Sequence, residues 1–173
     1  MTAERKSMPM IIRPIDVSDA EAFLELNKRI DESGFMLHEP GERKTTVEQQ
    51  KQAIERASSE ERSAFFVAES DYQLAGFIAA FGGKMKRNQH SAYLALGVHD
   101  AFHGQGMATK LITKVYEWAE AISISRLELT VIKDNVKALK LYQKMGFQIE
   151  GEKVHSLMID GKPVNEYYMY KLV

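Results

Sequence analysis

Residues 94–112 read Leu-Ala-Leu-Gly-Val-His-Asp-Ala-Phe-His-Gly-Gln-Gly-Met-Ala-Thr-Lys-Leu-Ile, and this stretch decides the fold. An apolar run ends at Val98, a loop with Gly104 and Gly106 follows, and an amphipathic helix begins near Met107. The first turn of a helix has N–H donors without intrahelical partners and carries the positive end of the helix dipole. A glycine loop that leads into such a turn therefore predicts a binding site for a phosphate or pyrophosphate group.

The sequence of this loop does not match either of two common phosphate-binding motifs. The loop of nucleoside triphosphatases requires Gly-Lys followed by Ser or Thr, whereas Met107 follows Gly106 here. The dinucleotide fingerprint G-x-G-x-x-G places Thr109 where a third glycine or an alanine belongs. A nucleotide-binding protein that uses the same loop for ATP stays open as one alternative.

A third spelling fits the loop, and a second motif supports it. Read from His103, the loop is His-Gly-Gln-Gly-Met-Ala, which resembles the Arg/Gln-x-x-Gly-x-Gly/Ala acyl-coenzyme A signature of the GNAT N-acetyltransferases. Residues 135–147, Asn-Val-Lys-Ala-Leu-Lys-Leu-Tyr-Gln-Lys-Met-Gly-Phe, resemble the N-x-x-A-x-x-L-Y-x-x-x-G-F segment of the same family. The resemblance extends over roughly residues 10–173. One departure is His103 itself, because a neutral histidine supplies one donor and no fixed charge where Arg or Gln is usual.

The resemblance implies an enzyme that moves an acetyl group from acetyl-CoA to a primary amine of a small molecule or a protein N-terminus, without a metal. Direct attack is favoured because no cysteine exists to carry an acyl group. The implied cofactor-binding residues are Leu96, Gly97, Val98, His103, Gly104, Gln105, Gly106, Met107, Ala108, Thr109 and Asn135. The alternative is a catalytically inactive coenzyme A-binding sensor or interaction module.

The resemblance also places the general acid at Tyr142. A phenol has a pKa of about 10, so it is protonated at neutral pH and can give its proton to a departing thiolate. Backbone N–H groups near Leu96 and Val98 are expected to polarise the thioester carbonyl, and Gly97 to leave room beside them. By its position, the loop of residues 35–39 could line an acceptor pocket.

The general base stays open, because the strand before the glycine loop contains no carboxylate. A water relay would serve equally well. The side chains considered are Tyr93, His99, Glu128, Glu39 and His38.

The whole chain limits the classes of function. Its 173 residues suffice for one domain with a sizeable core. The formal net charge of -1 gives no reason to expect nucleic acid or an anionic membrane as a partner. The absence of cysteine excludes disulfides and suits the cytoplasm, and no apolar run approaches the roughly 20 residues that span a bilayer. A homodimer is a further expectation.

Periodicity and turn residues predict the element order β-α-α-β-β-β-α-β-α-β-β. That order indicates an α+β fold with one GNAT-like domain, a mixed six- to seven-stranded sheet and helices on both faces. The domain is expected over residues 10–173, after a flexible segment at residues 1–9. A capping box of Ser18 and Glu21 is expected to start the first helix, Thr45 or Thr46 to cap the second, and Gly146 to end the last.

Overall fold

A seven-stranded mixed sheet organises the chain in the computed structural model, which describes residues 9–173. The strands are β1 (Ile11–Pro14), β2 (Ser63–Ser70), β3 (Gln73–Gly82), β4 (Ser91–Val98), β5 (Arg126–Ile132), β6 (Gln148–Ile159) and β7 (Lys162–Leu172). Their order in the sheet is β1-β2-β3-β4-β5-β7-β6. β4 and β5 run parallel, whereas β1 with β2, β5 with β7 and β6 with β7 run antiparallel.

Four α-helices complete the predicted order of elements. They are α1 (Ala20–Asp31), α2 (Val47–Ser59), α3 (Met107–Ala121) and α4 (Val136–Lys144). The predicted α+β class with a single domain is confirmed, and the sheet has the upper of the two predicted strand numbers. Of the expected flexible segment at residues 1–9, residues 1–8 lie outside the described part. None of the helices in residues 9–173 combines the length and the apolar character that crossing a bilayer requires.

Within this domain the chain divides into two units. The first comprises the described residues up to Ser59 together with Phe65–Ile78 and Leu96–Leu111. An aromatic cluster forms part of its core: the ring of Phe23 makes edge contacts with Phe65 and Phe77, each at 5.1 Å between centroids. Such edge-to-face pairs add to the stabilisation that burial of the rings already gives.

The start of α1 differs from the prediction. Asp16, not Ser18, is the cap: its carboxylate accepts from Ser18 N at 2.9 Å, and Asp19 Oδ2 accepts from Asp16 N at 2.8 Å. This box starts a short 3-10 turn at Val17–Asp19, and α1 follows from Ala20. The second prediction is confirmed at Thr46, whose hydroxyl accepts from Gln49 N at 3.1 Å while Gln49 Oε1 accepts from Thr46 N at 2.9 Å.

The second unit comprises Glu60–Ala64, Ala79–Ala95 and Ile112–Val173. β5 pairs with β7 along its whole length, from Arg126↔Leu172 to Ile132↔Glu166. β5 pairs with β4 over three positions, Ser91↔Arg126 to Tyr93↔Glu128. β6 and β7 form a hairpin whose turn holds Asp160 and Gly161 at φ of 51° and 74°. These left-handed values are those of a two-residue hairpin turn.

Candidate active site

The glycine loop lies between the end of β4 and the first turn of α3. Gly104 and Gly106 have φ of 77° and 74°, and a Cβ added at either would meet nothing within 4 Å. Glycine is therefore favoured there for the left-handed conformation, and the space outside the loop is open. Residues 103–106 are exposed.

The N-terminus of α3 presents amide donors beside this loop. The helical ladder begins with Lys110 N donating to Gly106 O at 3.1 Å, so the amides of Met107 and Ala108 precede it. No acidic residue lies in the first turn of this 15-residue helix. An open approach, early amides, a positive dipole end and the lack of a carboxylate in the first turn of α3 together fit a diphosphate group.

Met107 contributes to this site only through its backbone. Its side chain is almost fully buried, and its Sδ lies 3.0 Å from a Cβ built on Gly76 of β3. The thioether therefore belongs to the core of the first unit. Packing of this side chain fixes where α3 begins, and so where the early amides point.

The directions of the backbone N–H and C=O groups at the end of β4 follow from two contacts with β3. His99 N donates to Ala75 O in the segment of β3, at 2.8 Å, and Gly97 O lies 3.2 Å from a Cβ built on Gly76. Because backbone groups alternate along a strand, those of Leu96 and Val98 point away from β3. These are the two positions at which amide donors for a carbonyl were expected.

The His103 side chain turns back toward the end of β4. Its Nε2 lies 2.9 Å from Val98 O and 3.5 Å from Asp100 Oδ1. A carbonyl oxygen only accepts, so Nε2 carries a hydrogen and donates to it. The side chain thus ties the glycine loop to the last carbonyl of β4, a role that the motif did not indicate.

Position 97 requires a residue without a Cβ for a different reason from the one expected. A Cβ at this position would lie 2.7 Å from Phe77 Cε1 and 3.0 Å from Ile30 Cδ1. The space beside Gly97 is therefore filled by the core of the first unit, and glycine allows Ile30 of α1 and Phe77 of β3 to pack directly on β4. The sequence could not indicate this, because both contacts are distant in the chain.

Asn135 caps α4 from the position directly before the helix. Its Oδ1 accepts from Ala138 N at 3.3 Å. This bond satisfies one of the amides that the first turn leaves without a helical partner. A contact between Asn135 and the cofactor stays a prediction.

Tyr142 lies in α4 with its ring buried against Phe147, at 5.9 Å between centroids. Burial raises the pKa of the Tyr142 phenol above its ordinary value, and the nearby Tyr93 phenol raises it further. Its hydroxyl makes no hydrogen bond with the residues that the structure describes. The phenol is protonated at neutral pH, so its hydrogen is available to donate.

The end of α4 is fixed by contacts within the second unit. Tyr116 donates its hydroxyl hydrogen to Met145 O at 2.6 Å, and burial raises the pKa of Tyr116 to about 12. Gly146 stops the helix at φ 95°, as predicted. These contacts hold the helix that carries Tyr142.

Three of the candidate bases have structural partners. His99 Nδ1 accepts from Ala101 N at 3.1 Å, and Glu128 Oε2 lies 3.1 Å from Arg126 Nε. The Tyr93 hydroxyl shares a 2.9 Å hydrogen bond with Thr130 Oγ1. His38 and Glu39 lie in the loop between α1 and α2. In residues 9–173 there is no group of three or more His, Asp or Glu that could hold a metal ion.

One buried pair escaped the sequence analysis. Arg43 Nε donates to Asp31 Oδ2 at 2.8 Å, and Arg43 Nη2 donates to Asp31 Oδ1 at 3.0 Å. A signal did exist, because Leu24, Asn27 and Asp31 recur at helical spacing on the buried stripe of α1. A carboxylate on such a stripe requires a partner.

Comparison with known proteins accounts for this arrangement. The profile of the acetyltransferase (GNAT) family matches residues 23–147. The L-amino acid N-acetyltransferase AaaT of Escherichia coli (strain K12) is 31% identical over 107 residues, which are 61% of this chain and 66%, just under two thirds, of that protein. The spermidine N(1)-acetyltransferase of the same organism is 25% identical over 159 residues, 91% of this chain and 83% of that protein.

A solved structure agrees with these matches. The acetyltransferase of the GNAT family from Streptococcus pneumoniae superposes with a TM-score of 0.90 and 27% identity, covering 95% of this chain and 100% of that one. The predictions of an acyl-CoA-dependent N-acyltransferase and of acetyl-CoA as its cofactor are thus confirmed at the level of the family. The chain belongs to the acetyltransferase (GNAT) family.

Proposed function

We propose that the protein transfers the acetyl group of acetyl-CoA to the primary amine of a small molecule or a peptide N-terminus. The observation that carries this proposal is the open glycine loop at the N-terminus of α3, with early amides and no acidic residue in the first turn. The relatives named for L-amino acids and for spermidine support small amines as the first acceptors to test.

The residues proposed to hold acetyl-CoA have separate tasks. The amides of Met107 and Ala108, with the loop from His103 to Gly106, hold the diphosphate, and Thr109 and Asn135 complete the proposed contacts. The amides of Leu96 and Val98 donate to the thioester carbonyl, because both point away from β3. The thioester supplies an activated acyl carbon, and the chain supplies position and hydrogen bonds.

The proposed reaction is a direct transfer. The neutral amine attacks the carbonyl carbon, a C–N bond forms, and the C–S bond breaks with its electron pair on sulfur. The amine loses one proton and the thiolate gains one, so the balance is complete without a metal. The nucleophile must lose its proton to solvent or to a neighbouring group. A water relay and the side chains considered above, namely Tyr93, His99, Glu128, Glu39 and His38, are the routes left open.

Tyr142 is proposed to act on the departing sulfur. Its pKa is raised above the ordinary value of about 10 for a phenol, whereas a thiol has a pKa near 8.5. Complete proton transfer from Tyr142 to the thiolate is then uphill by at least about 2 kcal/mol. Tyr142 therefore acts mainly by donating a hydrogen bond to sulfur while charge develops, and the proton released by the amine restores the balance.

The test is thiol release from acetyl-CoA with a panel of amines. L-amino acids, spermidine and a peptide with a free N-terminus are compared with the same peptide acetylated at its N-terminus, and products are verified by mass. Acetylation of at least one free amine, without reaction of the blocked peptide, is the expected result. Binding of acetyl-CoA with no turnover for any amine would instead support the coenzyme A-binding module.

A thermal-shift comparison addresses the nucleotide alternative. A ligand that binds the native state raises the apparent stability, so acetyl-CoA should raise the melting temperature and ATP should not. The opposite pattern would refute the assignment of the loop. The homodimer and the cytoplasmic location stay predictions.

A further inference from the structure

Asp31 is the one charged residue among those buried in the part of the chain that the structure describes. Its side chain is 2% exposed, and both of its oxygens accept from the Arg43 guanidinium, at 2.8 and 3.0 Å. The two donors form the planar fork that matches a carboxylate. The proposed chemistry uses neither residue.

Stability alone does not account for this pair. Asp31 is the last residue of α1, where the negative end of the helix dipole disfavours a carboxylate. Burying two charges also has a desolvation cost that their attraction often fails to exceed. What the fork fixes is geometry, because it joins positions 31 and 43 and so closes the segment between them.

That segment, residues 32–42, is held by bonds of its own. Gly34 N donates to Asp31 O at 3.3 Å, directly after α1. Residues 39–42 form a turn closed by Glu42 N to Glu39 O at 3.0 Å, in which Pro40 precedes Gly41 at φ 81°. Proline followed by a left-handed glycine is typical of a type II turn.

The closed segment carries two large apolar side chains into solvent. Phe35 is 44% exposed and Leu37 is 78% exposed. Because the Asp31–Arg43 fork joins the two ends of the segment, Phe35 and Leu37 lie on a closed loop whose ends are held together.

The anchor of this loop is next to the end of β4. Ile30, the residue before Asp31, packs directly on Gly97, because a Cβ built on Gly97 would lie only 3.0 Å from Ile30 Cδ1. Gly97 lies between Leu96 and Val98, whose amides are proposed to polarise the thioester carbonyl. The contact of Ile30 with Gly97 and the fork of Arg43 on Asp31 both lie within the first unit. The fork therefore fixes the loop with respect to the backbone that would hold the reacting carbonyl.

We propose, on the basis of the proposed function, that Asp31 and Arg43 are positioning residues for the acceptor. Their fork holds Phe35 and Leu37 where they contact an apolar substituent of the amine. The preferred acceptor is then a primary amine with an apolar group, such as an amino acid with a hydrocarbon side chain, and not a polyamine.

The first test replaces the exposed apolar side chains. Leu37→Ser is compared with the wild type on two pairs of amines, L-leucine with L-alanine and 2-phenylethylamine with ethylamine. We expect kcat/KM for the larger amine to fall at least fivefold relative to the smaller one, through KM, with the KM for acetyl-CoA unchanged. Val154→Ser is the matched control, because Val154 is 66% exposed on β6, in the second unit.

The second test weakens the fork without removing the charge. Arg43→Lys keeps a cation beside Asp31 but loses the bidentate geometry. We expect the same loss of preference for the larger amine, and faster hydrogen exchange of the amides in residues 33–42, while those of α1 stay protected. Lys28→Ala, which removes an exposed pair with Glu25, should change neither quantity.

The outcomes separate the two proposals. A wild-type protein that acetylates no amine refutes the proposed function and the inference with it. An active wild type that prefers spermidine to every apolar amine, or whose preference is unmoved in both Leu37→Ser and Arg43→Lys, refutes the inference alone. Unchanged exchange of residues 33–42 in Arg43→Lys also overturns it, independently of activity.

Discussion

Placing a carboxylate at Gly106 should weaken the binding of acetyl-CoA while the protein stays folded. The chain offers a matched control at Gly161, in the turn between β6 and β7. Both glycines have φ of +74°, and a Cβ at either position would meet nothing within 4 Å. Gly106→Asp and Gly161→Asp therefore carry a similar backbone cost, about 1 to 2 kcal/mol for a left-handed residue.

The expected difference between the two variants is electrostatic. A carboxylate about 4 Å from a phosphate oxygen is repelled by about 4 kcal/mol at an effective dielectric constant of 20, and by about 1 kcal/mol in bulk water. Because 1.4 kcal/mol is a factor of ten, the Kd for acetyl-CoA should rise by a factor between about 5 and about 1,000. Gly106→Asn separates charge from bulk, since Asn tolerates the left-handed region and is uncharged.

Calorimetric titration with acetyl-CoA measures this difference directly. We expect Gly106→Asp to bind far more weakly than Gly106→Asn, with the gap narrowing as salt is raised and the repulsion is screened. Gly161→Asp should bind as the wild type does, and melting temperatures should confirm that both aspartate variants are folded. Equal Kd values for Gly106→Asp and Gly161→Asp would refute the assignment of a diphosphate to this loop.

Three further predictions concern single side chains. Tyr142→Phe should lower kcat while leaving the Kd for acetyl-CoA within about twofold. Because the pKa of Tyr142 is raised in the folded protein, the unfolded phenol ionises first as pH rises through 10. In denaturation measured against pH, the stability of the wild type should therefore fall more steeply above pH 10 than that of the variant. His103→Ala should raise the KM for acetyl-CoA about fivefold, through the loss of one hydrogen bond worth about 1 kcal/mol. His103→Gln keeps a donor and should recover part of this loss of affinity. A wild-type KM in His103→Ala would show that the hydrogen bond to Val98 does not support cofactor binding. Gly97→Ala should destabilise the fold by about 1 to 3 kcal/mol, because its Cβ would lie 2.7 Å from Phe77, and Phe77→Leu in the same chain should restore part of the loss in thermal melts.

The order of elements was predictable because each element carries its own local signal. The glycine loop, the periodic face of α3 and the stop at Gly146 are all set by neighbours in sequence, and the structure confirms them. The predicted cap of α1, at Ser18, was wrong for a local reason. Asp16, Ser18 and Asp19 are all close in sequence and compete for the same amides. Asp19 is also held by Arg13, which donates to both of its oxygens at 2.8 Å. That contact joins β1 to the turn and is invisible to a search for capping boxes.

The candidate site divides in the same way. The backbone donors before α3 follow from the spelling of the loop alone, because they depend on φ and on the start of a helix. The packing of Gly97, the His103 bond to Val98 and the fork of Arg43 on Asp31 depend on side chains whose contacts the sequence does not order. Of these three contacts, only the one that His103 makes involves a residue of the two motifs that resemble the family.

His103 shows how such a contact can change the meaning of a motif residue. The peptide between Val98 and His99 is held on one side by His99 N to Ala75 O and on the other by the imidazole of His103 on Val98 O. The end of β4 and the glycine loop thus move as one piece, within a span of six residues. A charged arginine at this position would add attraction to phosphate, whereas the histidine links the proposed diphosphate donors to the proposed carbonyl donors. Histidine at this position thus favours alignment of the proposed donors over attraction to phosphate. Replacing His103 should therefore change both the KM for acetyl-CoA and kcat, whereas replacing Tyr142 should change kcat alone.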